Sequence, residues 1–113
     1  MLAKQNRLTK QKDFEKIFKQ ARSFYSKRLG VKAQVNQSAL NRFGIIISTK
    51  ISKKATERNR LKRQIRQAAR ELNKELKPGF DLVIMALPGF INQEYVIVKE
   101  EMEKIFLKLR LFK

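Results

Sequence analysis

Between Lys50 and Arg70 nine side chains are cationic (Lys50, Lys53, Lys54, Arg58, Arg60, Lys62, Arg63, Arg66 and Arg70), and one, Glu57, is acidic. The chemistry open to such a set is the neutralisation of phosphate. Arginine dominates it, and a guanidinium makes bidentate contacts to phosphate or a base edge that an ammonium cannot. A helix face that only meets water interleaves acids and bases for a few tenths of a kcal/mol per i, i+4 pair, whereas like charges at that spacing repel by a similar amount. One-sign clustering of this kind fits a polyanionic partner.

Bond-breaking chemistry finds few candidates. The 113 residues include no His and no Cys, which removes imidazole acid–base catalysis, thiol nucleophiles, zinc fingers and disulfides. Glu71, Glu75, Glu94, Glu100, Glu101 and Glu103 fall where helices would pair them with nearby Lys and Arg, and Asp13 and Asp81 stand alone. No carboxylate cluster for a metal is recognisable, and the four glycines form no phosphate-cradling motif. No catalytic side chain and no protein-borne metal site are therefore expected. With 27 Lys or Arg against 10 Asp or Glu, the net charge is +17. The hydrophobic share of 42%, with eight Phe, is enough for one modest core over residues 1–113 and argues against a disordered basic tail. The amino terminus, Met1-Leu2-Ala3-Lys4-Gln5-Asn6, lacks an apolar targeting stretch, and the run Leu82 to Leu87 is too short to cross a bilayer, so a soluble cytoplasmic protein is expected.

The elements that must position these cations follow from periodicity. Thr9 is placed to cap a helix in which Phe14, Ile17, Phe18 and Ala21 share one face. Leu29, Val31, Ala33 and Val35 alternate with Arg28, Gly30, Lys32 and Gln34 as a strand with one basic face. After a polar loop, Asn36 to Asn41, residues 43–48 form a second strand, and a hairpin is the simplest link between the two. Ser52 or Thr56 opens a long helix whose apolar stripe is Leu61, Ile65, Ala68, Leu72 and Leu76, ended by Pro78-Gly79. On a wheel of about 100° per residue, Asn59, Arg63, Arg66 and Arg70 oppose that stripe, Lys62 and Arg58 flank one edge, and Arg60 lies toward the other. Phe80 to Ala86 shows no polar alternation and should be a central strand covered on both faces. A last helix, capped by Asn92, turns Val98, Met102, Ile105, Phe106, Leu109 and Phe112 inward. The result is an α+β chain, a small sheet packed with helices in the order α-β-β-α-β-α, with strand order unreadable. Phe14 and Phe18, beside basic neighbours, are the rings best placed to stack on unpaired bases; Phe24 and Tyr25 are weaker candidates. The residues alone lead to a small basic nucleic-acid-binding protein, with RNA favoured.

The string Lys53-Lys54-Ala55-Thr56-Glu57-Arg58-Asn59-Arg60-Leu61-Lys62-Arg63-Gln64-Ile65-Arg66 resembles the signature of the bacterial ribonuclease P protein component, Arg-Asn-Arg followed by Lys-Arg and a further Arg on a long helix. Asn6-Arg7-Leu8, Asp13-Phe14, Ile17-Phe18, the strand Phe43 to Thr49 and Asp81-Leu82-Val83-Ile84-Met85-Ala86 extend the similarity over nearly the whole chain. The resemblance implies a ribosomal protein S5 domain 2-like fold with a left-handed βαβ crossover. It implies a monomeric protein that assists a catalytic RNA subunit, which uses Mg²⁺ held mainly by the RNAs to remove the 5′ leader of precursor tRNA endonucleolytically. Lys53, Lys54, Arg58, Asn59, Arg60 and Arg63 would contact the RNA subunit. A cleft between the sheet, the first helix and the long helix would hold the leader, with Phe14, Phe18, Arg28, Lys32, Lys62, Arg66 and Arg70 contributing. Many relatives carry an aromatic residue where this chain has Lys32, a basic residue where it has Leu87, and Gly-Asn where it has Lys53-Lys54, so leader contacts should lean more on charge. The alternatives are a general or ribosome-associated RNA-binding protein, which would show no leader dependence, and a self-sufficient nuclease, for which no general base is present.

Overall fold

In the computed structural model, which describes residues 3–113, the sheet is organised around its most apolar strand. Met1 and Leu2, part of the amino-terminal stretch discussed above, lie outside the described residues. A 3₁₀ turn at Lys4–Asn6 leads to helix α1 (Gln11–Gln20), strands β1 (Arg22–Tyr25), β2 (Leu29–Val35) and β3 (Arg42–Ile46), helix α2 (Ala55–Asn73), strand β4 (Phe80–Ala86) and helix α3 (Tyr95–Lys108). The sheet order is β1-β2-β4-β3. β4 is antiparallel to β2, with Ile84 opposite Val31, and parallel to β3, with Ile84 opposite Ile45. Its run from Asp81 to Ile84 is buried, as expected of a strand covered on both faces.

The expected hairpin between β2 and β3 does not form, because β4 lies between them. The intervening loop is bound to the start of β4: Asn36 Nδ2 donates to Asp81 Oδ1 (2.9 Å), and Asn41 Oδ1 accepts from the Phe80 amide (2.8 Å). Those two bonds hold the loop across the start of β4, where the Phe80 amide is satisfied by the Asn41 side chain. The four-residue strand β1 was not expected. Arg-Ser-Phe-Tyr is too short to show alternation, and its pairing with β2 creates the strand.

None of the three expected caps acts as one. α1, α2 and α3 begin after Lys10, Lys54 and Glu94, with no side-chain cap hydrogen bond. Ser52 and Asn92 are used elsewhere, and Asn92 has a left-handed backbone (φ 57°). α2 ends at Asn73, short of Pro78-Gly79, and α3 at Lys108. The carboxyl-terminal segment then pairs back on the end of α2 through a Leu76–Phe112 bridge, leaving Leu111 buried and Phe112 edge-on to Phe106 (centroids 6.3 Å apart).

Two layers of apolar side chains result. On one face Leu29, Val31, Ala33, Phe43, Leu82, Ile84 and Ala86 meet Leu61, Ile65, Ala68, Ala69 and Leu72 of α2 and Val98, Met102, Ile105 and Phe106 of α3. Each fully buried Leu, Ile or Phe contributes about 1.5–3 kcal/mol. On the other face Leu8, Ile17 and Val83 form a smaller cluster with Phe14, Ala21, Ile46 and Met85 around it. α1 lies across this face. Phe14 sits over Gly44 of β3, where a Cβ would come within 2.6 Å of the ring, and Phe18 sits beside Lys32 of β2.

Helices α2 and α3 are also joined by a polar link. The Tyr95 hydroxyl donates to Glu71 Oε1, and Lys99 Nζ lies 3.5 Å from the same oxygen. That hydroxyl, then Lys99, holds the Glu71 carboxyl below its ordinary value near 4.5. A carboxyl depressed in the folded state stabilises above its unfolded pKa and loses that contribution as pH falls through the folded value. Tyr95→Phe should therefore reduce stability near neutral pH and flatten the acid limb below about pH 4.5, measured by urea unfolding at a series of pH values. A variant with the parent's acid limb would show that the link carries no stability.

Candidate nucleic-acid interface

Position 52 organises the start of α2. Ser52 Oγ accepts from the Lys54 amide (3.1 Å) and donates to Glu57 Oε1 (2.5 Å), while the Ser52 carbonyl accepts from Arg58 Nη1 (2.7 Å). Glu57 Oε2 accepts from Asn92 Nδ2 (2.7 Å), which ties the loop after β4 to the same turn. The Ser52 hydroxyl, then the Asn92 amide, holds the Glu57 carboxyl below its usual range. The one acid in the basic segment is thus an anchor for the loop that carries Lys53 and Lys54. Its role was missed in the sequence because the partners come from two loops, one of them 35 positions away.

Around this anchor Lys53, Lys54, Asn59, Arg60 and Arg63 are exposed, and Arg58 is half-buried against Ser52. One turn further on, Arg63, Arg66, Gln67 and Arg70 line a groove along α2. Arg66 is half-buried and is shared with a second depression, lined by Arg7, Leu8, Thr9, Phe14, Phe43, Gly44 and Ile45. The cationic surface of α2 therefore runs into the α1-bearing side of the sheet at Arg66. Arg7 is an addition to the expected set; its position in Asn6-Arg7-Leu8 was the only signal. The adjacent residue Leu8 follows β3, its amide donating to the Phe43 carbonyl (2.8 Å).

The same side of the sheet holds Lys32, whose Nζ lies 5.7 Å from the ring centroids of both Phe18 and Tyr25. Phe18 is 47% and Tyr25 50% exposed, whereas Phe24 packs against the main core. The structure thus brings Phe14 and Arg66 together, and Phe18 and Lys32 together, along α1. Lys62, about one turn before Arg66 on α2, is half-buried. Arg28 is placed differently. Its guanidinium lies 3.9 Å from Glu101 of α3, a helix that packs on the opposite face from α1.

Rings and cations on one surface suit phosphates and unpaired bases. The carboxylates do not suit a divalent cation. Asp81 and Asp13 both bind Arg42, Glu57 is used by Ser52 and Asn92, and among the described residues no group of three or more could hold a metal ion.

A sheet face with exposed rings, bounded by an arginine-rich helix, defines an RNA-binding protein as a class. The chain belongs to the ribonuclease P protein family: the Ribonuclease P family model matches residues 2–110. It is 41% identical to the ribonuclease P protein component of Synechocystis sp. over 93% of this chain and 86% of that one. It is 38% identical to that of a Cyanothece species, over 93% and 92%. Among solved structures it superposes on the RNase P protein of Thermotoga maritima with a TM-score of 0.81 at 29% identity, covering 90% of this chain and 96% of that one. For the Staphylococcus aureus RNase P protein the TM-score is 0.87 at 23% identity, covering 96% and 98%, a match of fold. Family members are protein subunits of a tRNA-processing ribonucleoprotein enzyme. The α+β architecture is that of the family, and among the described residues no helix is long and apolar enough to cross a membrane.

Proposed function

We propose that this chain, acting as a single RNA-binding domain over residues 1–113, joins as a monomer to the catalytic RNA of ribonuclease P in the cytoplasm and helps it hold precursor tRNA. Lys53, Lys54, Arg58, Asn59, Arg60 and Arg63 contact the RNA subunit. Phe14, Phe18, Lys32, Lys62, Arg66 and Arg70 hold the single-stranded 5′ leader. Arg28 completes the leader-binding set; its ion pair with Glu101 of α3 is long, 3.9 Å, and its side chain is largely exposed.

The observation that carries this reading is the position of Arg66, which lines both the α2 groove and the depression against Phe14. One strand of RNA can pass from the cationic helix onto the rings without leaving positive charge. Mg²⁺, held mainly by the RNA subunit and the substrate, would supply the hydrolytic chemistry. This chain binds and orients. By neutralising phosphates that would otherwise repel one another, its cations strengthen substrate affinity and lower the Mg²⁺ concentration needed.

The test is cleavage and binding of precursor tRNAs with leaders of increasing length by a bacterial ribonuclease P RNA at low Mg²⁺, with and without the protein. Stimulation should appear only once the leader is several nucleotides long. Phe18→Ala should remove about 1–3 kcal/mol of the leader-dependent affinity, the value of one stacked base. A protein that binds these RNAs equally well whatever the leader, and never stimulates a matched RNA, would be a general or ribosome-associated RNA-binding protein instead.

A further inference from the structure

On strand β1, Tyr25 stands opposite Gly30 of β2, and its ring carbons Cδ1 and Cε1 occupy the space beside that glycine's α-carbon. A Cβ at position 30 would come within 2.5 Å of Tyr25 Cδ1 and Cε1, so only glycine leaves room for the ring. The ring is 50% exposed. Lys32, on the same face of β2, holds its ammonium 5.7 Å from this ring and 5.7 Å from that of Phe18. Two half-exposed rings on neighbouring elements therefore flank one cation, on the face where Phe14 and Arg66 bound the depression nearer β3.

We infer that Tyr25, seated on Gly30, is a further base-stacking residue for single-stranded RNA. It extends the leader-binding face to the outer strand of the sheet, with Lys32 as the phosphate contact between Tyr25 and Phe18. The inference rests on the assignment of this face to the leader, and it adds a position to it. The geometry suits the task. A half-exposed ring seated against bare backbone is restricted in its motion, so less freedom is lost when a base stacks on it than on an unsupported ring. An ammonium near two rings is held by cation–π attraction, yet it stays within reach of a phosphate bridging bases stacked on either side. The competing role is structural: an aromatic laid over a cross-strand glycine also shields the backbone there and supports the strand pair.

Binding by the assembled holoenzyme separates the two. Affinities would be measured for mature tRNA and for precursors with leaders of stepwise length, using chains carrying Tyr25→Leu, Tyr25→Phe, Gly30→Ala and Phe18→Leu, with the melting temperature of each protein alongside. Tyr25→Leu should lower affinity by about tenfold or more, only for leaders beyond a threshold length, and leave mature tRNA unaffected. Tyr25→Phe should retain the parent affinity. Gly30→Ala, which keeps the tyrosine but displaces its ring, should reproduce the leader-specific loss in part. If Tyr25→Leu lowers the melting temperature but leaves the leader dependence intact while Phe18→Leu abolishes it, Tyr25 only shields Gly30 and the inference is overturned. If neither variant changes the leader dependence, the assignment of the whole face to the leader falls with it.

Discussion

Replacing Arg58, Asn59 and Arg60 together by Ala is expected to weaken assembly with the ribonuclease P RNA about 100-fold near 0.1 M salt. Two guanidinium groups are lost, and hydrogen bonds to charged groups contribute about 1.5–3 kcal/mol each, so roughly 3 kcal/mol is the lower bound. The dependence of log K on log salt should become shallower by about 0.9 for each duplex phosphate no longer neutralised, hence by nearly two. Arg58 should matter beyond its charge, because the Ser52 carbonyl already holds its guanidinium at 2.7 Å. A group fixed before binding loses less entropy on contact than a free lysine would. Asn59 and Arg60 are exposed and have no packing to lose. Alanine is also the best helix former, so α2 should persist, as circular dichroism would verify. Unchanged affinity and salt slope with the helix intact would remove this turn from the RNA-subunit interface.

Local pattern was enough to reveal the elements that carry these groups, and long-range pairing was not. Leu82 to Ala86 read as a central strand because five apolar residues in a row leave no face for water. The stripe Leu61, Ile65, Ala68 and Leu72 read as a buried helix face and is buried. The β2–β3 hairpin failed because sequence proximity is a weak guide where a loop can wrap round the start of a third strand, as Asn36 and Asn41 do. The caps failed for a related reason. Ser52 and Asn92 were recognised as side chains that sit at helix starts, but α2 and α3 begin only after Lys54 and Glu94, two residues further on, and the donor groups of both side chains go to Glu57. On the site, Phe14, Phe18, Lys32 and Arg66 were placed by spacing and by resemblance to the family. Arg28 was placed by the resemblance, and Glu101, which lies on a helix 73 positions later, was invisible to the sequence. The seat of Tyr25 on Gly30 was not legible, because it lies across a turn that periodicity did not register as a strand pair.

The same blindness to distance hid Arg42, whose loss is expected to be the most damaging to stability. Its Nε donates to Asp81 Oδ1 (2.8 Å), its Nη2 to Asp81 Oδ2 (2.6 Å) and its Nη1 to Asp13 Oδ2 (3.3 Å). The bond from Asp81 raises the guanidinium above its ordinary pKa. Asp81 is buried at the start of β4, so Arg42→Ala would leave a carboxylate there with, among the described residues, the Asn36 side chain to bind it. Breaking a buried pair in this way costs about 3–5 kcal/mol, and the partial exposure of Arg42 favours the low end, near 3 kcal/mol. For a chain of this size that is a fall of roughly 10 °C in melting temperature. Asp13→Ala should cost less than about 1 kcal/mol, because that contact is longer and more exposed. Its consequence lies elsewhere. Asp13 is in the first turn of α1, next to Phe14, so its bond to Arg42 fixes where α1 crosses the sheet. Asp13→Ala should therefore weaken binding of leader-bearing precursors while leaving RNA-subunit affinity and melting temperature near the parent's. Arg42→Ala should impair both stability and leader binding. Arg42→Lys, which keeps the charge but not the bidentate fork, should recover only part of the stability. Equal melting temperatures for Arg42→Ala and the parent would show that Asp81 finds another partner, and that α1 is seated by its apolar contacts alone.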